Sequence, residues 1–170
     1  MKIAITGQEG FIGYHLYNTL KYSFSEYELL DFRKAYFQNP KKIDKIISNV
    51  DIIIHLAGVN RDINEESILK KNLFLTEELI NSISRTTFIG KLIFASSIQQ
   101  KDNNAYGVSK RESVESFFNA SSKYGFTFIN LIIPNVFGPY CKPNYNSFIA
   151  TFCHNSLNKN QNVIKKNKDV

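Results

Sequence analysis

With 170 residues, 43% of them hydrophobic and 21% charged, the chain has the composition of one soluble globular domain, long enough for a real core and cramped for two. The formal charge of +6 is spread along the sequence and concentrates only between Lys159 and Lys168, which argues for a solvated basic end rather than a nucleic-acid patch. Cys141 and Cys153 stand in no CxxC spacing and the histidines (His15, His55, His154) are scattered, so free thiols in a reducing compartment are expected and a metal site is not.

Met1 leads at once into an apolar strand, without a basic segment and an apolar stretch ending at a cleavage site, and a cytoplasmic protein is expected. Lys2 to Thr6 is a short apolar run closed by glycine. Phe11 to Lys21 sets Phe11, Ile12, His15, Leu16 and Leu20 at helical spacing, which predicts strand, turn and helix. Tyr27 to Phe32 reads as a second strand, with Asp31 and Arg33 at its end. Pro40 opens a short helix carrying Ile43, Ile46 and Ile47 on one face. Asp51 to Leu56 is continuously apolar, as a central parallel strand buried on both faces would be, and too short to span a bilayer.

A longer helix is expected from Glu65 to Ser84 and a strand from Lys91 to Ala95. The helix bearing Tyr106 and Lys110 runs to about Tyr124, where Gly125 is a stop signal, and Phe126 to Ile133 supplies another strand. After Pro134 comes a loop with Gly138, Pro139 and Pro143, then a helix from Phe148 to Leu157. Alternating strands and helices predict an α/β fold, a doubly wound parallel sheet with right-handed crossovers. Residues 1–157 are expected to form it and residues 158–170 a polar tail.

The glycines of Thr6-Gly7-Gln8-Glu9-Gly10-Phe11-Ile12-Gly13 sit between the first strand and its helix. In that place Gly7 permits a tight turn, Gly10 lets backbone approach a pyrophosphate, and Gly13 lets helix pack on strand, while amides at the helix start (Phe11, Ile12) face phosphate oxygens. A dinucleotide is the ligand this arrangement suits. Asp31 at the end of the second strand would bind adenosine ribose hydroxyls, favouring NAD(H). Arg33 would pair with a 2′-phosphate, favouring NADP(H); the residues alone leave both open. Leu56, Ala57 and Gly58 end the central strand at the edge where a dinucleotide lies, and Asn72 can brace that loop.

Tyr106 and Lys110 are one helical turn apart and share a face. A phenol with a pKa near 10 exchanges protons at neutral pH only if its anion is stabilised, which the Lys110 charge is expected to do by lowering that pKa. Ser97, at a strand end upstream, can hydrogen-bond a substrate oxygen beside the phenol. Hydride transfer between a nicotinamide and the carbon bearing that oxygen is the implied chemistry.

These motifs, with Pro134-Asn135-Val136-Phe137-Gly138-Pro139, stand in the order found in the extended short-chain dehydrogenase/reductases, and the chain resembles that family of nucleotide-sugar epimerases, dehydratases and reductases. His55-Leu56-Ala57-Gly58-Val59-Asn60-Arg61, Ser96-Ser97-Ile98-Gln99 and the run from Lys142-Pro143-Asn144-Tyr145-Asn146-Ser147 to Cys153 most resemble the reductase half of bifunctional capsular-polysaccharide enzymes. That resemblance implies a Rossmann-like fold and reduction of a UDP-linked 4-keto-6-deoxy-N-acetyl sugar with NADPH, on the way to N-acetyl-L-fucosamine. It implies catalysis by Ser97, Tyr106 and Lys110, cofactor contacts that add Tyr106, Lys110 and Pro134 to the residues above, and substrate contacts from Asn60, Arg61, Ser97 and Asn135. It tips Arg33 toward the 2′-phosphate.

Only eight residues separate Ser97 from Tyr106, as in the capsule reductases and fewer than in typical epimerases. An arginine that many relatives carry two residues before the Pro-Asn pair is Ile132 here. Beyond this stretch, such enzymes continue with further sheet, a sugar-binding lobe and, in the bifunctional ones, a cupin domain. The alternatives are an epimerase or dehydratase of the same fold and a non-catalytic dinucleotide-binding module. A UDP-sugar is the expected partner, with a homodimer possible and neither nucleic acid nor membrane involved.

Overall fold

The structure is a computed structural model that describes residues 1–145 and 147–161. Asn146 and residues 162–170 of the expected tail lie outside the described residues. The chain divides into two compact units, Met1–Pro134 and Asn135–Val170.

The first unit alternates strand and helix: β1 (Lys2–Thr6), α1 (Phe11–Ser23), β2 (Glu28–Leu30), α2 (Pro40–Ile47), β3 (Ile52–His55), α3 (Glu65–Thr86), β4 (Lys91–Ser97), α4 (Ala105–Tyr124) and β5 (Thr127–Ile133). Short 3₁₀ turns over Lys34–Gln38 and Ile98–Lys101 were not legible as elements. All strand pairings are parallel and the order is β2-β1-β3-β4-β5. The chain moves outward from β1 to β2, then returns past β1 to β3. The sheet therefore reverses direction between β1 and β3, the place where open α/β sheets leave a crevice.

Local chemistry sets the helix limits. Asn39, Asn64 and Asn104 cap α2, α3 and α4, their side-chain oxygens accepting from Lys42 N, Ser67 N and Gly107 N. Gly125, at φ 80°, ends α4 in the left-handed conformation expected of a glycine stop. In the second unit, Ser147 caps α5 (Phe148–Leu157), and Phe148 and Phe152 pack one turn apart with centroids 5.8 Å distant.

The main core joins Ala4, Ile53, Leu92 and Phe94 of the sheet to Ile43 and Ile47 of α2, Leu79 and Ile83 of α3, and Phe117 and Ala120 of α4. The opposite row, Ile5, Ile54, Ile93 and Ile129, is in register across four strands. Its burial fades toward the sheet edge, from 1% exposed at Ile5 to 41% at Ile129. The continuous apolar run predicted a β3 buried on both faces. Instead its burial alternates, with Ile53 and His55 buried and Ile52 and Ile54 only partly so.

At the carboxyl end of the sheet a row of buried Thr6, His55 and Phe94 and partly buried Asn130 crosses four strands. Thr6 pairs with His55, His55 with Phe94 and Phe94 with Asn130. Thr6 Oγ1 lies 2.6 Å from His55 Nδ1 and accepts from Ala57 N at 3.2 Å. The two side chains share one hydrogen bond, whose direction is set by the imidazole tautomer, and the imidazole is neutral. Burial, reinforced by the Lys110 charge, pushes the His55 pKa down to about 3.

Two stability predictions follow from this packing. Phe117 is fully buried against His55, Phe94 and Phe128, with centroids 5.8, 5.3 and 5.7 Å away. Phe117→Ala is expected to lower unfolding free energy by about 3–5 kcal/mol in urea titration. His55 has a folded pKa below its unfolded value, so its contribution is complete above about pH 6.5 and is lost as pH falls toward about 3. Between about pH 7.5 and about pH 5 the wild type should lose roughly 2 kcal/mol more than His55→Asn, whose amide can hydrogen-bond Thr6 in either sense without titrating. Parallel pH slopes for the two proteins would refute the assignment.

Candidate active site

The turn after β1 is built around close backbone approach. Gly7 has φ 75°, and a Cβ there would lie 2.8 Å from Ala57 N. A Cβ on Gly13 would lie 2.1 Å from Gly7 O, so helix and turn meet only because Gly13 lacks a side chain. Gly10 N donates to Gly7 O at 2.9 Å and closes the turn. Unlike α2, α3, α4 and α5, helix α1 has no side-chain cap, because Gly10 occupies its N-cap. The amides of its first turn, starting at Phe11 and Ile12, are left to an external acceptor. A turn packed too closely for a Cβ at Gly7 or Gly13, next to an uncapped helix start at the sheet's reversal point, fits the diphosphate of a dinucleotide.

At the end of β2, Asp31 is held from three sides. Arg33 Nε donates to its Oδ2 at 2.7 Å, Gln8 Nε2 to its Oδ1 at 2.7 Å, and Tyr36 OH lies 3.5 Å from Oδ2. The Arg33 hydrogen bond, ahead of those from Gln8 and Tyr36, holds the carboxyl below its usual pKa despite partial burial. Sequence reading treated Asp31 and Arg33 as separate options and missed Gln8. Its signal is a long amide placed directly after the turn glycine.

Leu56, Ala57 and Gly58 continue from β3 beside the glycine turn. A Cβ on Gly58 would stand 3.5 Å from Asn72 Oδ1 and 3.6 Å from Lys110 Nζ, which brings this loop to α4. Asn72 is buried and turned inward: Oδ1 accepts from Val59 N at 2.7 Å, and Nδ2 donates to Val59 O at 2.8 Å and Ser109 Oγ at 2.9 Å. It braces the loop through its side chain, as expected of it. Ser109 passes the contact on by donating to Tyr106 O at 2.7 Å. One turn along, Thr76 Oγ1 donates to Ser113 Oγ at 2.8 Å, so α3 and α4 meet through two polar rungs at i,i+4 spacing. Ser109 and Ser113 were missed, although their spacing in a predicted helix marks a shared face.

Asn60 and Arg61 lie on the connection from β3 to α3. Pro134 follows β5 directly and closes the first unit, while Asn135 opens the second.

Tyr106 and Lys110 rise from the first two turns of α4, and Ser97 ends β4. Ser97 lies beside the phenol and pulls its pKa downward, against the effect of burial. Lys110 is 5% exposed, and its Nζ donates to Ala95 O at 2.8 Å and lies 4.6 Å from the Phe94 ring centroid and 5.5 Å from that of Tyr106. Burial pushes its pKa down to about 8. Lys110 was expected to lower the phenol's pKa. In this structure burial raises it, and only the Ser97 bond works the other way. The ammonium lies over the ring and is directed to Ala95 O. The arrangement is a partly buried phenol with a hydroxyl beside it and a cation over its ring, one strand away from the glycine turn.

Among the described residues no cluster of His, Cys, Asp or Glu could hold a metal ion, and no helix is long and apolar enough to cross a membrane.

A UDP-2-acetamido-2,6-beta-L-arabino-hexul-4-ose reductase of Pseudomonas aeruginosa is 36% identical over 157 residues, which are 92% of this chain and 41% of that protein. The capsular polysaccharide assembling protein CapF of Staphylococcus aureus superposes with TM-score 0.78 at 28% identity, over 98% of this chain and 43% of CapF. RMD of Pseudomonas aeruginosa, solved with NADPH, shares the fold with TM-score 0.74 at 22% identity, over 83% of this chain and 55% of that one. The chain thus spans less than half the length of the reductase and of CapF. The model of the NAD dependent epimerase/dehydratase family matches residues 3–169, and the chain belongs to that family.

Proposed function

We propose that the chain provides the cofactor-binding and proton-donating part of an NADPH-dependent reductase acting on the 4-keto group of a UDP-linked 6-deoxy-N-acetyl hexosulose in surface-polysaccharide synthesis. The observation that carries this reading is the Ser97, Tyr106 and Lys110 constellation beside the glycine cradle. The reductase relative suggests the substrate class, and CapF the capsular-polysaccharide setting.

Gly7, Gly10 and the amides of Phe11 and Ile12 would hold the diphosphate, and Arg33 the adenosine 2′-phosphate. When bound, the dihydronicotinamide supplies hydride for the carbonyl carbon. Ser97 donates a hydrogen bond to the ketone oxygen and orients it toward the phenol. Tyr106 gives that oxygen its proton. A raised pKa keeps the phenol protonated before the reaction, as the reductive direction requires. Lys110, mainly charged below pH about 8, stabilises the phenolate left behind, and its remaining N–H donors serve the nicotinamide ribose. Asn60, Arg61 and Asn135 are assigned to the sugar nucleotide. The proposal includes a cytoplasmic setting and a homodimer, with neither nucleic acid nor membrane as partner.

Tyr106→Phe is expected to slow reduction of a UDP-4-keto-6-deoxy sugar by about 10²–10⁴-fold, followed as loss of NADPH absorbance. Its NADPH dissociation constant should stay within about twofold, since the ring remains and only one hydroxyl is lost. Turnover within a few fold of wild type would remove Tyr106 from the proton-donor role.

A further inference from the structure

We infer that Asp31 and Gln8 are specificity-determining positioning residues: they hold Arg33 for the adenosine 2′-phosphate, and Asp31 is not a ligand of the ribose hydroxyls. The inference rests on the NADPH reading above and adds to it the means by which one site carries an acid and a base together. An aspartate at the end of the second strand ordinarily favours NAD(H), because it accepts from both ribose hydroxyls and repels a phosphate. Here both carboxylate oxygens are already engaged, Oδ1 by Gln8 and Oδ2 by Arg33 with Tyr36 nearby.

The backbone enforces this pairing. Phe32 is 1% exposed and packs between Phe37 and Tyr36, with centroids 5.2 and 6.1 Å away. In extended backbone, with Arg33 at φ −91° and ψ 149°, burying the middle residue turns its two neighbours to the same outer side. Asp31 and Arg33 are therefore brought together by the core residue between them.

The guanidinium spends only Nε on Asp31, which leaves the terminal nitrogens to present a fork to a phosphate. Gln8 ties this arrangement to the glycine turn: Nε2 donates to Asp31, and Oε1 lies 3.5 Å from Phe32 N. The diphosphate cradle and the proposed 2′-phosphate contact are thus connected by a single side chain. Asp31 reduces the net charge of the pair but fixes its cation, and the geometry favours the second effect because the carboxylate faces its partners.

The test is the ratio of NADH to NADPH dissociation constants for the 170-residue chain, measured by calorimetry and repeated with ADP and 2′,5′-ADP. Wild type is expected to prefer the 2′-phosphorylated member of each pair. Arg33→Ala should cut the preference by about tenfold or more, the scale of a lost charge-assisted contact. Asp31→Ala and Gln8→Ala should each cut it by about threefold to tenfold, the scale of releasing one ordered side chain, while leaving NADH affinity nearly unchanged. In Arg33→Ala, further loss of Asp31 should not lower the preference again.

A rise in NADPH preference in Asp31→Ala, or a loss of NADH affinity there, would overturn the inference while leaving the NADPH reading intact. Equal or weaker wild-type binding of NADPH would overturn both. Because the readout is a ratio between two ligands of one folded protein, a general loss of stability does not imitate the expected result.

Discussion

Everything at the carboxyl edge depends on the contact between the turn after β1 and the loop after β3. These strands are hydrogen-bonded neighbours although far apart in sequence, so Gly7 is carried against the backbone of Leu56 and Ala57. A side chain at Gly7 would force the two apart and open the crevice to a width set by its own bulk. The Thr6 hydroxyl adds a polar lock, accepting from Ala57 N and sharing a hydrogen bond with His55. A buried hydroxyl with both of these partners costs little.

Lys110 is the costly feature of this architecture. Removing an ammonium from water carries a penalty of several kcal/mol, whereas a hydrogen bond to a charged group returns about 1.5–3 kcal/mol. The Ala95 carbonyl and the Phe94 ring therefore recover only part of the cost, and the lowered pKa of Lys110 expresses the deficit. What keeps the ammonium there is the packing of α4 on α3, through apolar contacts and the Asn72–Ser109 and Thr76–Ser113 rungs. The fold holds a cation where it would not otherwise stay, 5.5 Å from the Tyr106 ring centroid.

Sequence was most informative where a residue type is tied to one backbone job. The turn glycines, the Gly125 stop and the four-residue step from Tyr106 to Lys110 all appeared at the positions read for them. It was least informative where outcome depends on a partner distant in sequence. Nothing local in Gln8 says that it reaches Asp31, and nothing in Ser109 says that Asn72 lies opposite. β2 is shorter than Tyr27 to Phe32: its ladder with β1 covers only Glu28 to Leu30, and Phe32 beyond it packs into the core. The half-covered β3 was illegible for a related reason. A run of isoleucines records that each residue can be buried, while the number of helices over each face is a property of the whole sheet. The direction of the Tyr106 pKa was misread because spacing gives proximity to Lys110 but not the burial around the phenol, and burial is the larger effect.

The resulting site is a chain of linked contacts with unequal strength. At one end, the Asp31–Arg33 pair is about half exposed, so ions within a Debye length of about 8 Å screen it and water competes for its hydrogen bonds. At the other, the Asn72, Ser109 and Lys110 contacts are buried, where losing one partner leaves the other unsatisfied. Those properties suit different tasks. An exposed fork can exchange its water for an incoming phosphate with little rearrangement, since both states are solvated and charged. A proton donor must keep its orientation while charge appears on it, and that calls for contacts that do not exchange. The division between a wet end at β2 and a dry end at α4 follows from the sheet itself: β2 is an edge strand, whereas β4 is flanked by β3 and β5 and covered by α4.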